Sequence, residues 1–395
     1  MKTFISVSEA KNIIKEKVFS LPISRMKLLD AVGFTLAEDV FAFCDIPAYN
    51  QSSVDGYAFR FKDNEQVFKV VGEMAAGTNV QLELSTKEAA RIFTGAPLSN
   101  GADTVIMQEY TEIKDGKLFL KDENIDKGKN VRLQGAEIQK GALAMKKGTH
   151  LSVAAVGFLA GIGITEVSIF APPKVAIILT GNELQKPGLP LNFGQVYEAN
   201  SFILVSALKQ MGIKNIEVLK AEDNLYILQT TLENALKNND VVLLTGGVSV
   251  GDYDFVVQAV ENCNIEAHFH KIKQRPGKPL LFSMKENKAV FGLPGNPSSG
   301  LVCFYEYVLP FIENMMHKKQ SLNKISAVLT HNYEKTKGLT HFLKGHYEDG
   351  KVTPLHAQES FRLHSFSQAN CLIVLEEDKT HCLINETVEL HLLPF

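Results

Sequence analysis

Residues 240–254 read Asp240-Val-Val-Leu-Leu-Thr-Gly-Gly-Val-Ser-Val-Gly-Asp-Tyr-Asp254. The apolar run from Val241 to Leu244 predicts a strand buried on both faces, ending abruptly at Thr245-Gly246-Gly247. Paired glycines remove Cβ atoms where the chain must turn, so a ligand can approach main-chain N–H groups closely. After Ser249, the acids Asp252 and Asp254 open a helical pattern through Phe255, Val256, Ala259 and Val260. Acids in a first turn suit the helix dipole, and beside a glycine-rich turn they also suit a metal ion.

Two other stretches repeat this grammar. Val175–Leu179 runs into Thr180-Gly181-Asn182-Glu183, and Val290–Leu293 runs into Pro294-Gly295-Asn296-Pro297. Strands at 175–180, 215–220, 241–245 and 289–293 alternate with helices near 199–211, 225–238, 253–263 and 297–317, which predicts a mostly parallel sheet. Asn296 is placed to cap the last helix, with Pro297 at its first position. Any one of these turns alone reads as a tight turn. Three at strand ends converge on one crevice, because open α/β sheets bind ligands outside the carboxyl ends of their strands. None is a dinucleotide or Walker fingerprint: Gly246-Gly247 lacks the GxGxxG spacing, and Gly277-Lys278 is followed by Pro279.

A chain of 395 residues has room for two to four domains. An apolar fraction of 45% and a charged fraction of 22% belong to an ordinary globular protein. The net charge of −3 excludes a general polyanion binder, so no nucleic-acid partner is expected. The cysteines (44, 263, 303, 371 and 382) are scattered without CxxC spacing, as structural thiols of a reducing cytosol are. The most apolar stretch, Leu151–Ile164, is too short to cross a bilayer and reads as a buried helix. A cytoplasmic location without membrane contact is the expectation.

Around this core the chain changes character. Ser6-x-x-Glu9 is a capping box before an amphipathic helix carrying Ala10, Ile13, Ile14 and Val18. In Ser52-Ser-Val-Asp55-Gly56-Tyr57-Ala58, Asp55-Gly56 is either a hairpin turn or part of a polar site. Lys271, Lys273, Arg275 and Lys278 surround Pro276, which favours a fixed anion site over a mobile patch. His268-x-His270 reads as a core or surface pair, because further metal ligands are lacking nearby. Tyr347-Glu-Asp-Gly-Lys-Val predicts a hairpin turning at Asp349-Gly350, and the histidines scattered beyond residue 330 carry no assigned role.

Thr245–Asp254, Pro276-Gly-Lys-Pro279 and Gly292-Leu-Pro-Gly-Asn-Pro297, in this order, resemble the molybdopterin molybdenumtransferase family, the MoeA type related to the E domain of gephyrin. The resemblance extends to Ser52–Ala58, Thr94-Gly95, Asn130–Ile138, and Ser360 followed by His364–Asn370. It implies a multidomain α/β and β protein. A central α/β domain of molybdopterin-binding type (174–318) is accompanied by a scaffold (1–40 with 141–173). A β-rich inserted domain (41–140) and a small C-terminal β domain (319–395) complete it.

By the same resemblance Asp55, Thr94, Glu137, Glu183, Asp223 and Asp254 occupy catalytic positions, with Glu183, Asp223 and Asp254 holding Mg²⁺. Thr180, Gly181, Gly246, Gly247, Ser249, Pro294, Gly295, Asn296 and Pro297 are implied to bind substrate. Lys271, Arg275, Lys278, Lys344 and Ser360 are nominated for molybdate. Asn182, Glu137, Arg275 and Lys344 depart from the residues the family commonly carries there, and Glu137 keeps the charge with a longer reach. The implied reaction inserts molybdenum into adenylylated molybdopterin, cleaves the pyrophosphate and releases AMP, in a homodimer with its active site at the subunit boundary. The rival readings are a non-catalytic molybdopterin-binding scaffold and a molybdopterin adenylyltransferase.

Overall fold

The computed structural model describes residues 1–63, 66–122, 124–248 and 255–394. Ser249 and Asp254 therefore lie outside the described residues. The chain forms two compact units, one of residues 1–24, 33–35 and 169–395, the other of residues 25–32 and 36–168.

The larger unit is built on a seven-stranded sheet. Its strands run in the order Lys2–Ile5, Glu266–Ile272, Leu281–Met284, Ala289–Leu293, Val241–Thr245, Val175–Thr180 and Ile216–Ala221. Only Leu281–Met284 runs antiparallel to its neighbours. The three central strands are buried at every position, which is why their sequences are apolar without alternation. Helices Asn200–Gln210, Leu225–Asn238 and Val256–Asn262 connect and cover them. Asn224 caps the second of these by accepting from the backbone of Tyr226 and Ile227.

Two expectations change here. A strand not expected from the sequence, Lys2–Ile5, adds a parallel edge to Glu266–Ile272. The helical segment from Pro297 is interrupted, with a π turn at Phe304–Val308 between Pro297–Cys303 and Leu309–Met315. Asn296 stands at the cap position but its side chain makes no capping bond. It donates instead from Nδ2 to Ser360 Oγ at 3.1 Å.

Within the same unit, strands Thr340–Glu348, Lys351–Pro354, Asn323–Leu329, Thr387–Leu392 and Cys371–Leu375 pair in succession, and the last pairs back with the first. The sheet closes as a small barrel around Leu329, Ile373 and Leu390. Its hairpin turns at Asp349 and Gly350, both at positive φ, as a two-residue primed turn requires.

A buried ionic cluster joins three segments of this unit. Glu306, on the π turn, is almost fully buried and accepts from Lys11 Nζ at 2.5 Å. Its other oxygen lies 2.6 Å from His391 Nδ1, and His391 Nε2 lies 2.9 Å from Glu389. Burial alone pushes the Glu306 carboxyl up, but the Lys11 ammonium and the His391 ring outweigh it and hold it below its ordinary 4.5. A depressed carboxylate contributes stability that is complete above pH 4.5 and is lost as the pH falls through its lowered value.

The smaller unit carries a six-stranded sheet in the order Thr104–Met107, Gly56–Phe59, Glu88–Ile92, Val67–Met74, Lys117–Leu120 and Thr111–Lys114. Gly56 is not a turn glycine: it begins a strand, where a Cβ would stand 1.8 Å from the Ile106 carbonyl oxygen. That geometry overturns the hairpin-turn reading of Asp55-Gly56. Among the described residues no helix is long and apolar enough to cross a membrane.

Replacing Glu306 by alanine strands Lys11 and His391, and is expected to cost about 3–5 kcal/mol, the usual price of breaking a buried ion pair. Urea unfolding monitored on the larger unit's signals checks this, and the variant's deficit should shrink as the pH drops below about 4.5.

Candidate functional site

The register of the parallel strands sets the site. Leu179 is level with Thr245, and Thr245 with Leu293, so the three chains leave the sheet at one height. Their turns line one cavity of about 680 Å³ with Thr180, Gly181 and Glu183 from the first, Thr245, Gly246 and Gly247 from the second, and Pro294, Gly295, Asn296 and Pro297 from the third. That volume suits a small-molecule ligand.

The glycines are there for geometry. Gly246 and Gly247 have φ of +87° and +61°. A Cβ on Gly246 would meet Thr180 Oγ1 at 2.7 Å, and a Cβ on Gly295 would lie 3.4 Å from Gly246 Cα. The second and third turns therefore touch backbone to backbone. Thr180 Oγ1 donates to the Thr245 carbonyl at 3.1 Å, and Asn200 Nδ2 donates to the Gly295 carbonyl at 2.9 Å. The hydroxyl of Thr245 is buried and has no hydrogen-bond partner among the described residues.

Glu183 and Asp223 line the same cavity. Asp223 Oδ2 accepts from the Asn182 N–H at 3.1 Å, which fixes the carboxylate against the first turn. Mg²⁺ commonly takes one or two carboxylates and completes its shell with phosphate oxygens and water, so this pair fits such an ion. Among the described residues no group of three or more His, Cys, Asp or Glu side chains assembles into a metal site.

The basic loop borders the cavity without lining it. Pro279 reaches the cavity, while Arg275 and Lys278 are exposed and Lys271 is half-buried. Lys278 Nζ lies 5.2 Å from the centre of the Phe4 ring. Buried Gln274 fixes the loop from inside, donating to the carbonyls of Pro276 and Gly277 and accepting from the Tyr307 hydroxyl at 2.5 Å. Its strand Gln274–Arg275 also pairs with Thr340–His341 of the barrel. His270, on the neighbouring strand, places Nε2 2.8 Å from the Val248 carbonyl behind the second turn, a structural contact.

Lys344 is 2% exposed, and its ammonium donates to the carbonyls of Ala357 at 2.7 Å and Arg362 at 3.0 Å. It braces the loop carrying Ser360 from beneath, rather than presenting its charge to the cavity. Ser360, half-buried, accepts from Asn296 at the cavity edge. Asn200, Tyr197 and Phe361, all on the cavity wall, carry no signal in the sequence. Phe361 adjoins Ser360 outside the recognised residues; Tyr197 and Asn200 follow a segment without recognisable patterning.

In the smaller unit, Asp55 Oδ1 accepts from both the N–H (2.7 Å) and the hydroxyl (2.8 Å) of Thr94. The Thr94 backbone N–H, then its hydroxyl, and more weakly Arg91 hold the Asp55 carboxyl below its ordinary 3.8. Asp55 is therefore an exposed, fixed anion at neutral pH. Glu137, also exposed, lines a separate cavity of about 790 Å³ with Pro47, Tyr49, Gln51 and Arg132.

These features define an α/β protein with a glycine-lined crevice at the ends of its parallel strands. Residues 5–163 match the MoeA N-terminal region (domains I and II), 176–314 a probable molybdopterin-binding domain, and 326–393 the MoeA C-terminal region (domain IV). The chain is 33% identical over 394 residues to a molybdopterin molybdenumtransferase from Haemophilus influenzae, covering 97% of each. It is 34% identical to another from Nostoc sp., covering 95% of this chain and 91% of that one. A crystal structure of a molybdopterin biosynthesis MoeA protein from Pyrococcus horikoshii superposes with a TM-score of 0.84 at 30% identity, over 98% of this chain and 99% of that one. The chain belongs to the molybdopterin molybdenumtransferase family.

Gly246→Ala is expected to lose about 1–3 kcal/mol through backbone strain and to close the crevice against Thr180. Thermal melts and equilibrium dialysis with AMP check the two effects. Thr94→Val removes one of the two donors to Asp55, so the carboxyl should titrate closer to its ordinary 3.8 than in the unaltered protein, read by carbon NMR of the side-chain carboxyl.

Proposed function

We propose that this chain inserts molybdenum into adenylylated molybdopterin, cleaving the pyrophosphate and releasing AMP. The observation that supports it most is the single cavity into which three glycine turns, Glu183 and Asp223 converge. Backbone N–H groups of the turns bind phosphate oxygens, and the touching glycines let the pyrophosphate lie against the main chain. Glu183 and Asp223 would hold Mg²⁺, which would supply neutralisation of the charge on the phosphoryl oxygens. Thr180, already committed to the Thr245 carbonyl, keeps the first two turns in register.

Molybdate is the second substrate. Ser360 offers it a hydroxyl, while Lys271, Arg275 and Lys278 supply positive charge at the bordering loop. Lys344 acts on it indirectly by fixing the Ser360 loop. An oxygen of molybdate or of water attacks the pyrophosphate phosphorus and AMP leaves, while the dithiolene receives the metal, so no serine or cysteine nucleophile is needed.

The working form is a homodimer with its active site at the subunit boundary, to which Asp55, Thr94 and Glu137 contribute. Large apolar side chains exposed on the smaller unit, Leu29 (86%), Phe43 (68%), Leu133 (63%) and Val153 (78%), support burial against a second copy.

Purified protein is expected to release AMP from adenylylated molybdopterin only when both molybdate and Mg²⁺ are present, and to yield active cofactor. Nucleotide held tightly without release would favour a scaffold instead. Asp55→Ala and Asp223→Ala should each abolish release. Mixed after unfolding and reassembly, the two inactive variants should recover about a quarter of the activity, since half the dimers then hold one intact site. No recovery would remove the shared-site proposal.

A further inference from the structure

The cavity's floor is suited to phosphate, but glycines, threonines and carboxylates offer nothing to a flat heterocycle. Among the described lining residues, two aromatic rings are present, Tyr197 and Phe361. Phe361 is 63% exposed, on a loop of the barrel rather than on the α/β sheet. Its open face is therefore an apolar, aromatic surface beside a cavity otherwise lined mostly by small and polar residues.

The loop is unusually well fixed for an exposed segment. Lys344 Nζ ties the carbonyls of Ala357 and Arg362, and Ser365 Oγ donates to the same two oxygens at 2.8 and 3.3 Å. Gln358 Nε2 donates to the carbonyls of Lys344 and Leu355. An ion pair from Arg362 Nε to Glu359 at 3.2 Å closes the turn on its outer side, and the Arg362 guanidinium lies 5.4 Å from the Phe361 ring centre. The contact from Asn296 to Ser360 Oγ anchors the preceding residue to the third glycine turn. The loop backbone that carries the ring is thus already ordered before a ligand binds, so little further ordering of it is required.

We infer that Phe361 is a pre-organised stacking platform for a planar heterocycle of the substrate, and so a specificity-determining residue. This rests on the reading of the cavity as the site for adenylylated molybdopterin, which carries two such rings, the pterin and the adenine. Stacking on an aromatic side chain is sequence-tolerant in nucleic-acid binding because any base offers a π face, and the same physics applies to either ring.

The test measures binding without molybdate, by calorimetry with adenylylated molybdopterin. Phe361→Ala is expected to bind about 5- to 150-fold more weakly, the range that losing one aromatic stack produces. Phe361→Leu, apolar but without a π face, should resemble the alanine variant, and Phe361→Tyr should restore affinity. The ring is exposed, so melting temperatures should stay unchanged in all three. The chain contains no tryptophan, so Phe361→Trp supplies a single indole whose emission a stacked ring quenches. Quenching by AMP identifies the adenine as the stacked ring; quenching by 6-hydroxymethylpterin but not AMP identifies the pterin. Equal affinity of Phe361→Ala and the unaltered protein would overturn the inference while leaving the cavity's assignment standing. Failure of the unaltered protein to bind adenylylated molybdopterin would overturn both.

Discussion

Everything at the site depends on the register of three parallel strands. Because Leu179, Thr245 and Leu293 lie side by side, the chain turns at one level three times over. The turns can crowd together only where side chains are absent, and Gly246 and Gly295 meet backbone to backbone for that reason. A shift of one residue in any strand would lift one turn out of the cavity and turn its strand's buried side chains to the opposite face. The strands are buried at every position, so that slip is opposed by the whole hydrophobic core of the sheet.

The barrel completes this crevice rather than merely following it. Ser360 meets Asn296, Phe361 joins the cavity wall, and Gln274–Arg275 pairs with Thr340–His341. Holding these parts in place are polar groups withdrawn from solvent: Lys344 under the loop, Gln274 with Tyr307 inside the basic turn, and Glu306 among Lys11, His391 and their neighbours. A buried polar group is costly unless satisfied, so each of these makes its surroundings specific as well as stable.

The α/β core was legible in the sequence because its signals are local and agree. Continuous apolar runs, glycine turns and helical periodicity placed the strands 175–180, 241–245 and 289–293, and the fourth lies at Ile216–Ala221, one residue from the expected span. The hairpin at Asp349-Gly350 followed from the same kind of local chemistry. What escaped was long-range. Nothing near His391 marks it as a partner of Glu306 and Lys11, and nothing near Lys344 shows that loop carbonyls would surround its ammonium. The edge strand Lys2–Ile5 is too short for periodicity to reveal. At Asp55-Gly56 a turn-like dipeptide hid a close strand contact, because the reason for glycine lies on Ile106 rather than in the turn itself.

The central claim, that three strand-end turns form one anion site, is tested most directly by backbone hydrogen exchange with and without adenylylated molybdopterin, in the absence of molybdate. Protection on binding is predicted together at 181–183, 246–248 and 295–296, with 358–362 joining them. Protection confined to one turn, or falling on surfaces remote from all three, would contradict the account.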